Sequence, residues 1–320
     1  MKIIFMGTPD FAVPSLEILL TSHHELSAVV TAPDKPQGRG LKLGVSPVKK
    51  YAVENHLNIL EPPDLKDSKF IDVIVHLNPD LIVVVAFRIL PKEIFTVPKF
   101  GTFNLHASLL PKYRGAAPIN WAIINGESET GVTTFFLDEK VDTGNIIMQN
   151  KCEITEDDNA GTLHDKLAVL GARTVLSTVS LIEMTNGNVP VYTQDESLFT
   201  KAPKIFKEFC EINWDNSVNT IHNFIRGLSP IPTAYTFHDS KLIKIYKSAK
   251  CLSSTITLNN TREPGKLVKE DNKLFVCCND GLMEIKELQI EGKNRMHAEE
   301  FLRGHKLQSG DVFGKLPKYL

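Results

Sequence analysis

The chain has 320 residues, more than one ordinary hydrophobic core holds, so two domains are expected. Its 42% hydrophobic and 23% charged residues are ordinary globular values. The formal net charge of −2 excludes a basic surface over the whole molecule: residues 207–320 carry 17 Lys and Arg against 14 Asp and Glu, and residues 1–206 carry 19 against 24, so any basic surface must be local.

The run KIIFMG (2–7) reads as a buried strand ending at Gly7. DFAVPSLEILLTS (10–22) has helical spacing, with Phe11, Leu16, Leu19 and Leu20 near one face, Pro14 in the first turn and Asp10 as a candidate N-cap. The intervening Gly7-Thr8-Pro9-Asp10 has one glycine, not G-x-G-x-x-G, so a dinucleotide site is unsupported. LSAVVT (26–31) is a second strand. TAPDKPQGRGLKLGVSPVKK (31–50) then sets five basic residues, Lys35, Arg39, Lys42, Lys49 and Lys50, against Asp34 alone. Its prolines and glycines predict a loop without regular structure. It reads equally as a solvated excursion or as a loop that meets a polyanion.

DLIVVVAF (80–87) is uninterrupted and β-branched, the pattern of a central parallel strand. FNLH (103–106), VTTFFL (132–137) and NIIMQ (145–149) follow as strands, and residues 161–184 as a long amphipathic helix. Strands alternating with helices predict an α/β domain with a mostly parallel, Rossmann-like sheet. Composition turns polar near 185. Beyond it come a capped helix (214–228), short alternating runs separated by turns, and a late helix (293–305). These predict a small antiparallel β-barrel or sandwich. The expected division is a domain over 1–185, a linker over 186–206 and a second domain over 207–320.

Asn104 and His106 stand two apart on one strand, so their side chains leave the same face. Two such donors can stabilise an oxyanion, and an imidazole moves protons near neutral pH. A buried, satisfied Asn and His is the commoner fate of such a pair. Its place at the end of a sheet strand, where ligands of α/β folds bind, favours the site. Asp142 in VDTGNI is either turn chemistry or a carboxylate beside His106, with Asp138 as its competitor. Lys241, Lys244, Lys247 and Lys250 read as a solvated edge strand or as a phosphate track that Lys201, Lys204 and Lys207 extend.

The stretch FNLHASLLPKYRGAAPINWAI, with Asn-x-His, Ser-Leu-Leu-Pro and Arg-Gly, resembles the folate-dependent formyltransferases, and VDTG resembles that family's aspartate loop. GTPDFAVPSL, the 31–49 loop and TKAPKI resemble the branch of the family that acts on charged tRNA. The resemblance spans essentially the whole chain. It implies transfer of the formyl group of 10-formyltetrahydrofolate to the methionine α-amine of initiator Met-tRNA. It implies Asn104, His106 and Asp142 as the catalytic set. Folate would meet Ser108, Leu109, Leu110 and Pro111, with the pterin near Val85, Ala86, Phe87 and Arg88. The tRNA would meet Arg39, Lys42, Lys204 and Lys244, and the C-terminal barrel would be OB-like. VVVAFRILP lacks a glycine common in the family and is one residue shorter, which puts Arg88 near the pterin pocket and implies a reshaped pocket. Sister enzymes with the same core, which hydrolyse formyl-folate or formylate a sugar nucleotide or glycinamide ribotide, would not need the basic loop and barrel. A non-catalytic RNA-binding module would not need the three polar residues, and a dehydrogenase lacks its glycine motif.

Five cysteines without a C-x-x-C pair, and no H-x-x-x-H, predict no disulfide framework and no metal. No uninterrupted apolar run approaches the ~20 residues of a membrane span. A cytoplasmic monomer is the expectation.

Overall fold

The computed structural model describes residues 1–37, 42–251, 263–305 and 311–314. The chain forms two compact units. One comprises Met1–Pro118, Glu129–Glu153 and His164–Pro203; the other comprises Ile119–Ser128, Ile154–Leu163 and Lys204–Leu320.

In chain order the first elements are β1 (Lys2–Gly7), α1 (Val13–Leu20), β2 (Glu25–Val30), β3 (Lys35–Gln37), β4 (Lys42–Gly44), α2 (Pro47–Glu54) and β5 (Ile59–Leu60). They continue with α3 (Ser68–Leu77), β6 (Leu81–Val85), α4 (Lys92–Phe95), β7 (Thr102–His106), α5 (Pro118–Ile124), β8 (Glu129–Phe136), β9 (Ile146–Glu153) and α6 (Ala160–Met184). One sheet runs β5-β2-β1-β6-β7-β8-β9. Its members from β5 to β7 pair in parallel, and β8 and β9 are antiparallel additions. β1 and β6 lie in the middle, and Ile3 to Met6 and Leu81 to Val85 are all buried. A parallel strand covered on both faces needs such an unbroken apolar run. Ile4, Met6, Ile82 and Val84 pack with Phe70, Ile74 and Ile94 of α3 and α4. On the other face Leu105 lies against Gly171 of α6, where a Cβ would come within 2.6 Å of the leucine. Gly7 is a packing glycine, since a Cβ there would meet Ala12 at 2.8 Å.

Several expectations change. Asp10 does not cap α1: it lies in a one-turn 3-10 helix before it, and its carboxylate accepts a bond from the Phe11 N–H at 3.0 Å. The basic loop does hold regular structure. β3 and β4 pair antiparallel, Pro36 opposite Leu43, and α2 follows from Pro47. A two-stranded ribbon has only free outer edges, so a proline's missing N–H is tolerated there. Finally, α6 is long and apolar enough by length and composition to cross a membrane, which a count of uninterrupted runs does not register. Half of that stretch is buried, with Leu167, Val175, Val179 and Ile182 inside, which is the profile of a core helix.

The second unit contains α7 (Val218–Leu228), β10 (Ala234–His238), β11 (Lys241–Lys250), β12 (Leu267–Glu270), β13 (Lys273–Cys277), β14 (Leu282–Ile290), β15 (Met296–His297) and α8 (Ala298–Gly304). The strands form an antiparallel sheet, β10-β11-β14-β13-β12, with β15 on β14. Residues 311–314 bridge its ends, Gly314 pairing with Phe237 and Val312 with Lys266, so the sheet closes as a barrel. Ile225 and Leu228 of α7, Phe301 of α8, and Trp214, Ile245, Val276, Met283 and Phe313 fill it. The Ser217 hydroxyl caps α7 by accepting the Thr220 N–H at 3.1 Å. β11 is an interior strand, which corrects the edge-strand reading of its lysines. Ile243 and Ile245 fill the barrel, and Lys244 and Tyr246 alternate to the other face.

Candidate active site

β7 sets Asn104 opposite Val84 of β6 and Phe135 of β8, and His106 opposite Thr133 of β8. The alternation that turns Leu105 toward α6 turns Asn104 and His106 to the opposite face. Asn104 is half-buried and His106 is buried, 7% exposed. Among the described residues the Asn104 amide has no hydrogen-bond partner.

The His106 ring is held by a hydrogen bond at Nε2 and faces a carboxylate at Nδ1. Nε2 lies 2.8 Å from the Tyr113 carbonyl oxygen, which can only accept, so Nε2 carries the proton. Nδ1 faces Asp142 Oδ2 at 3.9 Å. The same Oδ2 accepts the Gly115 N–H at 3.0 Å. Asp142 stands in the left-handed region, φ 57°, which an Asp tolerates better than most residues. Its competitor Asp138 points into its own turn, accepting from Lys140 N at 2.9 Å and Thr143 Oγ1 at 2.8 Å. The two carboxylates of this loop therefore divide: Asp138 shapes the turn and Asp142 meets the imidazole.

The loop after β7 is braced throughout. The Ser108 hydroxyl, fully buried, donates to the Lys112 carbonyl at 2.6 Å, and the Ser108 carbonyl accepts Thr133 Oγ1 at 2.6 Å. The Thr133 oxygen in turn takes the Leu110 N–H at 3.1 Å, and Gln149 Nε2 donates to the Leu110 carbonyl at 2.8 Å. Leu110 packs on Phe135 and Ile146, Leu109 lies over Gly131, and Pro111 is buried. Ser108 is thus a turn brace, and Leu110 and Pro111 are buried in the packing of the loop.

Residues beyond this motif hold it in place, and the sequence pattern does not reveal them. Gln194 Nε2 donates to the Asp142 and Gly144 carbonyls, both at 2.9 Å. Its Oε1 accepts the buried Arg114 at 3.0 Å from Nε and 2.7 Å from Nη2. Arg114 also forks onto Glu196 at 3.1 and 2.7 Å and lies 5.0 Å over the Phe199 ring. Thr200 Oγ1 takes the Tyr113 N–H at 2.8 Å, and Ala202 pairs with Arg114 and Ala117 through the backbone. The segment read as a plain linker therefore clamps the aspartate loop and the loop after β7. Arg114 braces it.

Val85 is fully buried at the end of β6, and Ala86 is exposed with φ 48°. Phe87 packs on the α3–α4 core. Arg88 turns back to donate to the Pro63 and Pro62 carbonyls at 3.0 and 2.8 Å. Beside it a cavity of about 480 Å³ is lined by Leu65, Lys66, Ile89, Leu90, Phe95 and Glu139, among others. Its volume is that of a small-molecule site. Arg39 lies outside the described residues. Lys42 is in β4, Lys204 is exposed with its ammonium 5.4 Å over the Phe206 ring, and Lys244 is on β11. His23, His24 and Glu183 bring their ligating atoms within 4.8 Å of one another, a group of metal-ligating types that spacing alone does not show.

Residues 1–179 match the formyl transferase family and residues 204–306 match the formyl transferase C-terminal domain. The chain is 45% identical over 316 residues to methionyl-tRNA formyltransferase of Clostridioides difficile, covering 98% of this chain and 100% of that protein. It is 49% identical over 313 residues to the same-named protein of Chlorobium limicola, covering 97% and 98%. The fold is shared with the N-formyltransferase of Helicobacter canadensis in complex with folinic acid and dTDP-3-aminofucose, at 22% identity and TM-score 0.65 over 89% of this chain and 98% of that one. It is shared too with HypX of Aquifex aeolicus in complex with tetrahydrofolic acid, at 17% identity and TM-score 0.63 over 99% and 51%. The chain therefore belongs to the formyl transferase family, among its methionyl-tRNA formyltransferases.

Proposed function

We propose that the chain transfers a formyl group from 10-formyltetrahydrofolate to the α-amine of methionine on initiator Met-tRNA, with Asn104, His106 and Asp142 as the working side chains. The observation that carries the reading is the facing of His106 and Asp142 beside an Asn104 amide without a partner among the described residues. The donor supplies an activated formyl carbonyl and N10 as leaving group. Asn104 donates to the carbonyl oxygen as charge builds on it, an effect of the size that oxyanion donors give, about 10²–10³ in rate. His106 takes the amine proton at Nδ1, because Nε2–H is committed to the Tyr113 carbonyl. Asp142 stabilises the imidazolium that forms, and Nδ1–H then delivers the proton to the leaving nitrogen. The amine N–C bond forms, the C–N10 bond breaks, and one proton passes from amine to N10. Leu109, Leu110, Pro111 and residues 85–88 would hold the folate. The hairpin of β3 and β4 with Arg39, together with Lys204 and Lys244, would hold the tRNA. A cytoplasmic monomer acting in translation initiation completes the reading.

The test is formyl transfer by purified protein from 10-formyltetrahydrofolate to charged initiator tRNA, against free methionine and amino sugars as acceptors. Arg39→Ala should raise the KM for tRNA about tenfold and leave the folate KM unchanged, the loss expected for one good contact. Transfer to the free amines but not to Met-tRNA would contradict the reading.

A further inference from the structure

The neck of the basic hairpin is stapled twice. Thr31 Oγ1 and Ser46 Oγ lie 2.8 Å apart, and Lys49 Nζ lies 2.7 Å from Asp34 Oδ2. Lys49 reaches a third segment as well, at 2.9 Å from Glu61 Oε2. The two carboxylates raise the pKa of the ammonium and keep it charged. Glu61 starts the short segment whose next two carbonyls, on Pro62 and Pro63, take both Nη donors of Arg88. A stretch without backbone N–H at 62 and 63 has few ways of its own to be fixed. Here two cations hold it, Lys49 at Glu61 and Arg88 at the two proline carbonyls. Lys49 stands in the first turn of α2, just after the hairpin, and ties to Asp34 just before it, and Arg88 belongs to the loop after β6 beside the 480 Å³ cavity. Asp34 Oδ1, Glu61 Oε1 and Arg88 Nε are buried without a hydrogen-bond partner among the described residues. The network is therefore incompletely satisfied, and small displacements at either end change its energy.

We infer that Lys49, Asp34, Glu61 and Arg88 are positioning residues that couple the folate loop to the hairpin through residues 61–63, so that each substrate tightens the other. The inference rests on the proposed assignments of hairpin to tRNA and of residues 85–88 to folate. Coupling of this kind is reciprocal and is typically worth at least ~5-fold in affinity.

The experiment measures Met-tRNA affinity with and without tetrahydrofolate, which carries no formyl group to transfer. In the wild type, tetrahydrofolate should tighten tRNA binding about 5-fold, and tRNA should tighten tetrahydrofolate binding equally. Lys49→Met and Arg88→Met should each bring that ratio close to one, and Lys49→Arg should restore most of it. Glu61→Gln keeps the shape of the segment and should reproduce the loss, which covers poor folding of the larger changes. An unchanged ratio in these variants, or a ratio of one in the wild type, overturns the coupling. Arg39→Ala separates the two layers. If it weakens tRNA binding while the relay variants keep the ratio, the coupling alone falls. If it leaves tRNA binding untouched, the assignment of the hairpin falls with it.

Discussion

At the scale of single residues the candidate site depends on backbone geometry as much as on side-chain chemistry. Gly115 has φ 125°, and a Cβ there would lie 2.6 Å from the Ala202 carbonyl oxygen. Its N–H is the hydrogen bond that fixes Asp142. Gly115→Ala should therefore cost about 1–3 kcal/mol of stability, from the strained backbone conformation. It should also lower kcat, read by thermal unfolding and steady-state kinetics together. Asn104 and His106 are legible in the sequence because strand alternation fixes their common face. From spacing alone Asp142 is one of two carboxylates in its loop, because Asp138 and Asp142 differ in direction and not in chemistry, and only the likeness of VDTG to the family's aspartate loop singles it out. Gln194, Arg114, Glu196 and Thr200 are not legible as a clamp. They meet across 50 to 87 positions of chain, and no local period links them.

At the scale of elements the strands are read well and their surroundings less so. β6 and β1 announce themselves as unbroken apolar runs because both faces are covered. β11 misleads, because Lys241, Lys244, Lys247 and Lys250 look the same on an edge strand and on an interior strand of a small barrel whose outer side meets solvent. The β3–β4 hairpin is hidden because prolines and glycines argue against sheet, yet an isolated ribbon accepts them. The helix α7 carries a further test. His222 is buried, 8% exposed, with Nδ1 3.0 Å from Ser248 Oγ on β11. Burial, helped by Lys250 and Arg226, lowers its pKa to about 4, and Glu156 opposes this weakly. Between that value and the ordinary 6.5 the unfolded chain binds more protons than the folded one. Stability is therefore full above pH 6.5 and falls as pH drops toward 4, by on the order of 2–3 kcal/mol. Denaturant unfolding from pH 7 to 4.5 should show that loss, and His222→Gln should flatten it. A wild-type curve as flat as the variant's would mean that His222 does not titrate this way.

At the scale of the whole molecule a chain of net charge −2 must hold a polyanion through local charge. The excess of Lys and Arg in residues 207–320 and the basic hairpin are the places where it can do so. Affinity for tRNA should fall with rising salt while affinity for folate changes little, since counterion release belongs to the phosphate backbone. Lys244→Ala and Lys204→Ala should each lower the salt slope by about one for every phosphate contact removed. An unchanged slope in both would move the tRNA path off the barrel face and the segment before it. The family itself is legible in the sequence because the 104–115 motif joins strand, turn and brace in one continuous stretch.

The most direct test of the account is the single-turnover rate of formyl transfer to Met-tRNA at saturating folate, for Asn104→Ala, His106→Ala and Asp142→Ala. The roles assigned here predict losses of about 10²–10⁴ for each, well short of additive when Asp142→Ala is combined with His106→Ala, because Asp142 acts through the imidazole. A His106→Ala enzyme that transfers formyl at the wild-type rate would contradict it.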